Sequence, residues 1–237
     1  MKTLEVITLA GGKGARMGEL TQNSQKCLLE VEGKPVLGHL MDKLVEAFGS
    51  VDMKFGVCYR RDEVVDYVMR NKPKNVGAEF FDCVEGEGEK GYFLRARPLI
   101  KGDFICAPGD IVALPDAYQN AISIYKHEGV DGVISVSPQL DVIDSHGIAK
   151  VVGGKIVDLK WPAQNPVPDG YMRDMTIWPG DKKFFELIDQ YTNIPRRGMS
   201  WVYIEALKDG RPLGGNIYTS PWVHIGYPKD LSSVIPR

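Results

Sequence analysis

Leu4-Glu5-Val6-Ile7-Thr8-Leu9-Ala10-Gly11-Gly12-Lys13-Gly14-Ala15-Arg16-Met17-Gly18 is the stretch that decides how the rest of the chain is read. An apolar, β-branched run stops abruptly in a glycine-rich turn that carries basic residues. Glycine reaches positive φ without strain and has no Cβ, so such a turn brings backbone N–H groups close to a ligand and aims them at an anion. The reading is a phosphate cradle. It is not a P-loop, because no Gly-Lys-Ser/Thr closes the motif. A dinucleotide fingerprint begins at Gly12-Lys13-Gly14, but its third glycine falls due at Met17, and Gly18 comes one residue late.

Working outward, short β-rich runs alternate with helical periodicity, which predicts a doubly wound α/β fold with a mostly parallel sheet. Strands are expected over Leu4 to Ala10, Lys54 to Tyr59, Ala78 to Phe81, Phe104 to Ala107 and Gly132 to Val136. Val36 to Phe48 carries Leu37, Leu40, Met41, Leu44, Val45 and Phe48 at helical spacing, with Gly49 placed to end it. Asp62 to Met69, Tyr92 to Leu99 and Ala117 to His127 read as helices too, the last announced by Pro115 and Asp116. Beyond residue 140 the pattern becomes a hairpin, Ile148 to Val152 and Ile156 to Trp161 about Gly153-Gly154. A strand over Met172 to Trp178 and helices over Lys182 to Tyr191 and Ser200 to Leu207 follow. No repeat or linker divides the chain, so one domain over 1–237 is expected, about 1–138 binding nucleotide and about 139–237 forming a small β-rich elaboration on the acceptor side.

The 237 residues, a hydrophobic share of 43% and a net charge of −2 describe a globular chain without strong electrostatic bias. No nucleic-acid partner is expected, since the pairs Arg60-Arg61 and Arg196-Arg197 are too sparse to track a phosphate backbone. Cys27, Cys58, Cys83 and Cys106 show no C-x-x-C spacing and lie in or beside apolar runs that read as strands, which makes them core thiols of a reducing compartment. No run approaches the ~20 apolar residues of a membrane span. With no secretory leader in the opening run, a cytoplasmic location is the expectation, and a homo-oligomer is left open.

Leu-Ala-Gly-Gly-x-Gly-x-Arg-Met, with Lys26 ten residues after Arg16, resembles the signature of the sugar-phosphate nucleotidyltransferases, the NDP-sugar pyrophosphorylase-like family. The resemblance continues through Gln25-Lys26-Cys27-Leu28-Leu29-Glu30-Val31-Glu32-Gly33-Lys34-Pro35, although the family's prolines beside the lysine are absent. It continues at Gly88-Glu89-Lys90-Gly91, where the family has Gly-Thr-Ala/Gly, at Ala107-Pro108-Gly109-Asp110, and at Trp222-Val223-His224-Ile225-Gly226-Tyr227-Pro228. The markers run in family order over nearly the whole chain. They imply that Leu9, Ala10, Gly11, Gly12, Gly14 and Gly88 bind nucleotide, that Arg16 and Lys26 act in catalysis, and that Asp110 and His224 hold Mg²⁺, or Mn²⁺ in its place. Gly147, Lys160, Trp161 and Arg173 fall at the acceptor positions.

Three departures from the family pattern stand out. His224 replaces a metal-binding aspartate, and a neutral imidazole is a poorer Mg²⁺ ligand than a carboxylate. Either the metal differs, Asp110 works with fewer protein ligands, activity is lost, or the histidine only packs and hydrogen-bonds. Lys160-Trp161-Pro162 stands in place of Glu-Lys-Pro, and Arg173-Asp174-Met175 in place of Asn-Ala-Gly. Lys160 and Arg173 are thus candidates for an acceptor phosphate. Trp161, Trp178, Trp201 and Trp222 are candidates for an aromatic face or for the core.

The function implied is transfer of a nucleoside monophosphate from a nucleoside triphosphate to a phosphorylated small molecule, a sugar 1-phosphate first, with release of pyrophosphate. A cytidylyltransferase for a phospho-alcohol such as phosphocholine is one alternative. A catalytically silent nucleotide- or sugar-phosphate-binding module is another. A glycosyltransferase would call for an Asp-x-Asp motif, which the sequence lacks.

Overall fold

The opening run becomes a strand buried on both faces, as a near-continuous apolar stretch requires when helices cover a parallel sheet on both sides. The computed structural model of the chain describes residues 3–139, 146–163, 166–191, 193 and 198–237; Arg196-Arg197 and Asp144-Ser145 lie outside them. After β1 (Leu4–Leu9) and the glycine turn come β2 (Glu30–Val31), β3 (Lys34–Pro35), α1 (Val36–Phe48), β4 (Val51–Val57), α2 (Arg61–Asn71), β5 (Val76–Asp82), α3 (Gly88–Ala96) and β6 (Phe104–Cys106). The later elements are β7 (Ile111–Ala113), α4 (Pro115–His127), β8 (Gly132–Ser137), β9 (Ile148–Val152), β10 (Lys155–Lys160), β11 (Tyr171–Asp174), β12 (Trp178–Gly180), α5 (Lys182–Gln190), α6 (Met199–Lys208), β13 (Leu213–Ile217) and β14 (Trp222–His224).

The central sheet runs β12-β6-β1-β4-β5. All its pairs are parallel except β12 against β6. Successive residues of β1 feed two cores. Val6 joins Ile105, Phe55 and the apolar stripes of α1, α2 and α4, whereas Ile7 joins Phe104, Cys106 and the faces of α3, α5 and α6. This is the doubly wound α/β arrangement, with helices on both sides of one sheet. Glu5 is tolerated inside β1 because its Oε2 accepts from the backbone N–H groups of Lys101 and Gly102, both at 2.8 Å.

The β-rich part is a small closed sheet, β10-β13-β8-β11-β9. Gly153 and Gly154, at φ 57° and 76°, make the β9–β10 turn that the Gly-Gly pair announces. β8 belongs here rather than to the central sheet, running parallel to β13 and antiparallel to β11. The stretch Met172 to Trp178 is not one strand. Asp174 Oδ1 accepts from Thr176 N at 2.7 Å and Trp178 Nε1 at 3.2 Å, and Thr176 takes φ 57°, so the chain breaks between β11 and β12 and changes sheet. The helix expected from Tyr92 begins at Gly88 and gives way at Arg97 to a 3₁₀ turn. All four cysteines are free thiols, and Cys27 lies in a 3₁₀ turn rather than a strand. Among the described residues no helix is long and apolar enough to cross a membrane.

A third, two-stranded piece matters most for the site. β14 pairs with β7, His224 opposite Ile111, and Ile225 N donates to Asp110 O at 2.9 Å. Two residues far apart in the chain become neighbours at the carboxyl end of the central strands.

Candidate active site

Ala10 N donates to Gly56 O at 3.0 Å and Gly109 N to Leu9 O at 3.1 Å, so the glycine turn leaves β1 between its two sheet neighbours. The three turn glycines do different work. A Cβ on Gly11 would lie 2.7 Å from Tyr92 Oη and 2.9 Å from Cys58 N, so this glycine admits neighbouring protein. Gly14 sits at φ 64° against Lys26 and Thr21. Only Gly12 has open space around its missing Cβ, and it lines the cleft.

Gln25, which sequence reasoning passed over, holds this turn together. Its side chain donates to Ala10 O at 2.8 Å and to Gly12 O at 2.9 Å, and accepts from Cys27 N at 2.7 Å. It occupies the cap position of the turn that carries Lys26, which is the one signal the sequence offered. Lys26 Nζ is thereby aimed at Asp110 Oδ2, with which it forms an ion pair. His224 Nε2 lies 3.4 Å from the same oxygen. Burial alone would raise the Asp110 pKa, but the Lys26 ammonium and the His224 imidazole hold it well below the usual carboxylate range.

Behind His224 stands a buried set of groups. One terminal guanidinium nitrogen of Arg173 lies 2.7 Å from His224 Nδ1 and 3.1 Å from His146 Nε2. The guanidinium also lies over the Trp222 ring, 4.6 Å from its centroid, and the two imidazoles meet edge to face. Arg173 is only 2% exposed. Burial, reinforced by the Arg173 charge, pushes His146 down to about 2 and keeps it neutral. Burial likewise lowers His224, against the opposing pull of Asp110.

His146 and His224, with Lys26 and Asp110, line one cleft of about 350 Å³, within the size range of small-molecule sites. Leu9, Ala10, Gly12, Arg16, Lys26, Gly88, Asp110, Trp161 and His224 all face it. Arg16, exposed in the 3₁₀ turn after the glycines, is stacked over Tyr227 at 5.3 Å. Glu89, Tyr92, His146, Asp174, Thr176 and Ser200 line the cleft as well. Glu89 Oε2 accepts from Met199 N at 3.0 Å. Burial raises Glu89, and raises Asp174 to about 7.

The remaining expected acceptor residues stand apart from the cleft wall. Lys160 turns back over Tyr171, 4.5 Å from the ring, and toward Asp158. Arg173 is engaged by the two histidines rather than presented to the cleft. Gly147 lies just behind, its missing Cβ 3.4 Å from Ser200 Oγ and 3.6 Å from Asp174 Oδ2. Trp178 touches the cleft but, like Trp222, is almost wholly buried in one of the two main cores.

Asp110 suits a divalent cation through Oδ1, which among the described residues carries no hydrogen bond of its own, while Oδ2 pairs with Lys26 and faces His224 Nε2 at 3.4 Å. A hard cation such as Mg²⁺ commonly takes one or two carboxylates and completes its shell with phosphate oxygens and water. His224 does not suit it as placed, since Nδ1 is occupied by Arg173. Among the described residues no group of three or more His, Cys, Asp or Glu could hold a metal. Burial pushes the Cys27 thiol up to about 12, so this cleft residue offers no thiolate.

The model of the MobA-like NTP transferase domain matches residues 6–139, more than half of the chain. The chain belongs to the MobA-like NTP transferase family. Among similar proteins, the bifunctional protein GlmU of Methanocaldococcus jannaschii is 27% identical over 237 residues, covering 96% of this chain and 52% of its own length. The UTP–glucose-1-phosphate uridylyltransferase AglF of Haloferax volcanii is 29% identical over 107 residues, 45% of this chain and 43% of its own. The chain spans about half the length of the curated relatives it matches. Of solved structures, an inositol-1-phosphate CTP transferase from T. maritima superposes with a TM-score of 0.80 at 20% identity, covering 96% of this chain and 91% of that one. A UDP-glucose pyrophosphorylase bound to UDP-glucose gives 0.81 at 14% identity, covering 98% and 96%. At these identities the superpositions establish the transferase fold. The family match stops at residue 139, so Asp110 lies inside it while Arg173 and His224 lie beyond.

Proposed function

We propose that this chain transfers a nucleoside monophosphate from a nucleoside triphosphate to the phosphate of a small phosphorylated acceptor, a sugar phosphate first, releasing pyrophosphate. The observation that carries the reading is one cleft lined both by Arg16, Lys26 and the open Gly12, which suit a triphosphate, and by Asp174, Ser200 and Trp161, which suit a ring with hydroxyl groups. The family match supports the nucleotide side over residues 6–139. On this reading about 1–138 form the nucleotide half and about 139–237 the acceptor half.

The attacking group is an acceptor phosphate oxygen, already anionic near neutral pH, which forms a bond to the α-phosphorus as the bond to the pyrophosphate oxygen breaks. No strong general base is needed. Lys26 and Arg16 neutralise the charge that gathers on the departing pyrophosphate, and Gly12 lets the backbone approach the phosphates. Nucleotide phosphates draw Lys26 from Asp110, so the ion pair serves as a neutralised resting state. A divalent cation held by Asp110 Oδ1 would add further charge neutralisation on the triphosphate.

The test is pyrophosphate release with each ribonucleotide and dTTP, with Mg²⁺ or Mn²⁺, across sugar 1-phosphates, phosphocholine and related phospho-alcohols. Acceptor-dependent release that disappears in Asp110→Asn is the expected result. Nucleotide binding without release across the whole panel would overturn it in favour of a silent binding module.

A further inference from the structure

A guanidinium has only N–H donors and no lone pair to offer. The Arg173 nitrogen that lies 2.7 Å from His224 Nδ1 and 3.1 Å from His146 Nε2 therefore donates to both rings. A neutral imidazole carries one N–H. Because His224 accepts at Nδ1, its proton is on Nε2, the atom that lies 3.4 Å from Asp110 Oδ2. We infer that His224 serves Asp110 as an N–H donor and not a divalent cation as a ligand, its tautomer dictated by Arg173.

Three further observations converge on this arrangement. His224 presents a buried side chain, 7% exposed, whose ring is fixed on several sides. A Cβ on Gly226 would lie 2.9 Å from its Cε1 and 3.3 Å from its Nδ1, so the glycine admits the ring where it stands. Trp222, two residues earlier on β14, supports the guanidinium from its open face, 4.6 Å from the ring centroid. For Nε2 to bind a cation, the proton would have to move to Nδ1, which sets an N–H against an N–H of Arg173 in a dry site. Arg173 is thus a positioning residue that acts on Asp110 through His224.

The consequence for cation binding follows, and it rests on the transferase reading above. With His224 committed as a donor, the Asp110–His224 pair offers a cation one protein ligand, Asp110 Oδ1. A single carboxylate holds Mg²⁺ weakly unless phosphate oxygens complete the shell. The cation therefore enters with the nucleotide, not ahead of it.

The experiment has one arm that needs no turnover. Long-range ¹H–¹⁵N correlation spectra of the ¹⁵N-labelled protein distinguish imidazole tautomers, and the chain has only four histidines to assign, His224→Gln removing one set. The expected spectrum shows His224 protonated at Nε2 and bare at Nδ1, and it persists when Mg²⁺ or Zn²⁺ is added alone. Arg173→Met should mix the two tautomers. An Nδ1–H tautomer in the free protein, or loss of the Nε2 proton on adding either cation, would overturn the inference. The second arm titrates Mn²⁺ with and without a non-hydrolysable nucleoside triphosphate. The nucleotide should tighten Mn²⁺ binding by on the order of tenfold or more, and equal affinity in both titrations would overturn the order of entry. If no acceptor supports turnover, the transferase reading fails while the tautomer result still stands or falls by itself.

Discussion

Gly11 and Gly12 are adjacent in one motif, yet the structure separates their roles, and alanine at each tests that separation. At Gly11 a methyl group would meet Tyr92 Oη at 2.7 Å, Cys58 N at 2.9 Å and Cys58 Cβ at 3.1 Å. Real Cβ atoms do not come this close to backbone, so β1 or the chain at Cys58 must shift. Overpacking of this kind costs about 1–3 kcal/mol, which for a chain of this size lowers Tm by roughly 2–12 °C. At Gly12 nothing lies within 4 Å, so alanine should leave stability within about 0.5 kcal/mol and weaken nucleotide binding by on the order of tenfold. Tyr92→Phe in the Gly11→Ala background removes only the hydroxyl contact, so it should recover part of the loss, with a coupling of about 0.5–1.5 kcal/mol. Urea denaturation of five proteins, the wild type, the two alanine variants, Tyr92→Phe and the double variant, with nucleotide titrations beside it, gives each number. Equal destabilisation at the two glycines, or complete rescue by Tyr92→Phe, would refute the reasoning.

Gln25→Leu leaves Ala10 O and Cys27 N without their partner in a buried setting, a loss of about 2–5 kcal/mol readable by denaturation, and amide exchange should accelerate through residues 10–14; a stable variant with unchanged exchange would free the turn from Gln25. Asp174, raised to about 7 by burial, with Glu89 adding to the effect and Arg173 opposing it, binds its proton more tightly folded than unfolded. Its contribution to stability is therefore full below about pH 4 and is lost as pH rises through about 7. Asp174→Asn, which keeps an acceptor for Thr176 N and Trp178 Nε1, should gain on the wild type as pH goes from 4 to 8, and parallel Tm curves would show that the carboxyl titrates normally. Thr176 is a β-branched residue held at φ 57°, so Thr176→Gly should raise stability by about 0.5–1 kcal/mol; a fall in Tm would mean that its side chain is needed where it stands.

Local chemistry was legible where it repeats along the chain. The apolar run ending in glycines gave β1 and its turn, and the stripe from Leu37 to Leu44 gave α1 with its stop at Gly49. The Gly109-Asp110 strand end could be placed in a ligand crevice, because parallel strands present their carboxyl ends to one. What periodicity cannot supply is a strand's partner. Gly132 to Val136 reads as a buried strand either way, and its place beside β13 depends on a segment some eighty residues later. Arg173 looked like a phosphate ligand because charge is visible in sequence and burial is not, and only the adjoining Trp222 and histidines reveal that it is spent inside. Gln25 escaped notice for the opposite reason. A neutral amide advertises nothing until two carbonyls and an amide N–H are found around it. The break at Thr176 was hidden because threonine is a residue that argues for strand.

The β7–β14 ribbon also bears on the order in which the protein is made. Its two strands set His224 beside Asp110, but β7 leaves the ribosome well ahead of β14. A nascent chain that has reached residue 180 already holds every strand of the central sheet, together with the glycine turn, Lys26 and Asp110. It lacks the imidazole beside that carboxylate. The glycine turn, its lysine and the carboxylate are therefore assembled well before the imidazole arrives, an interval in which a nucleotide bound as proposed would steady a half-made sheet.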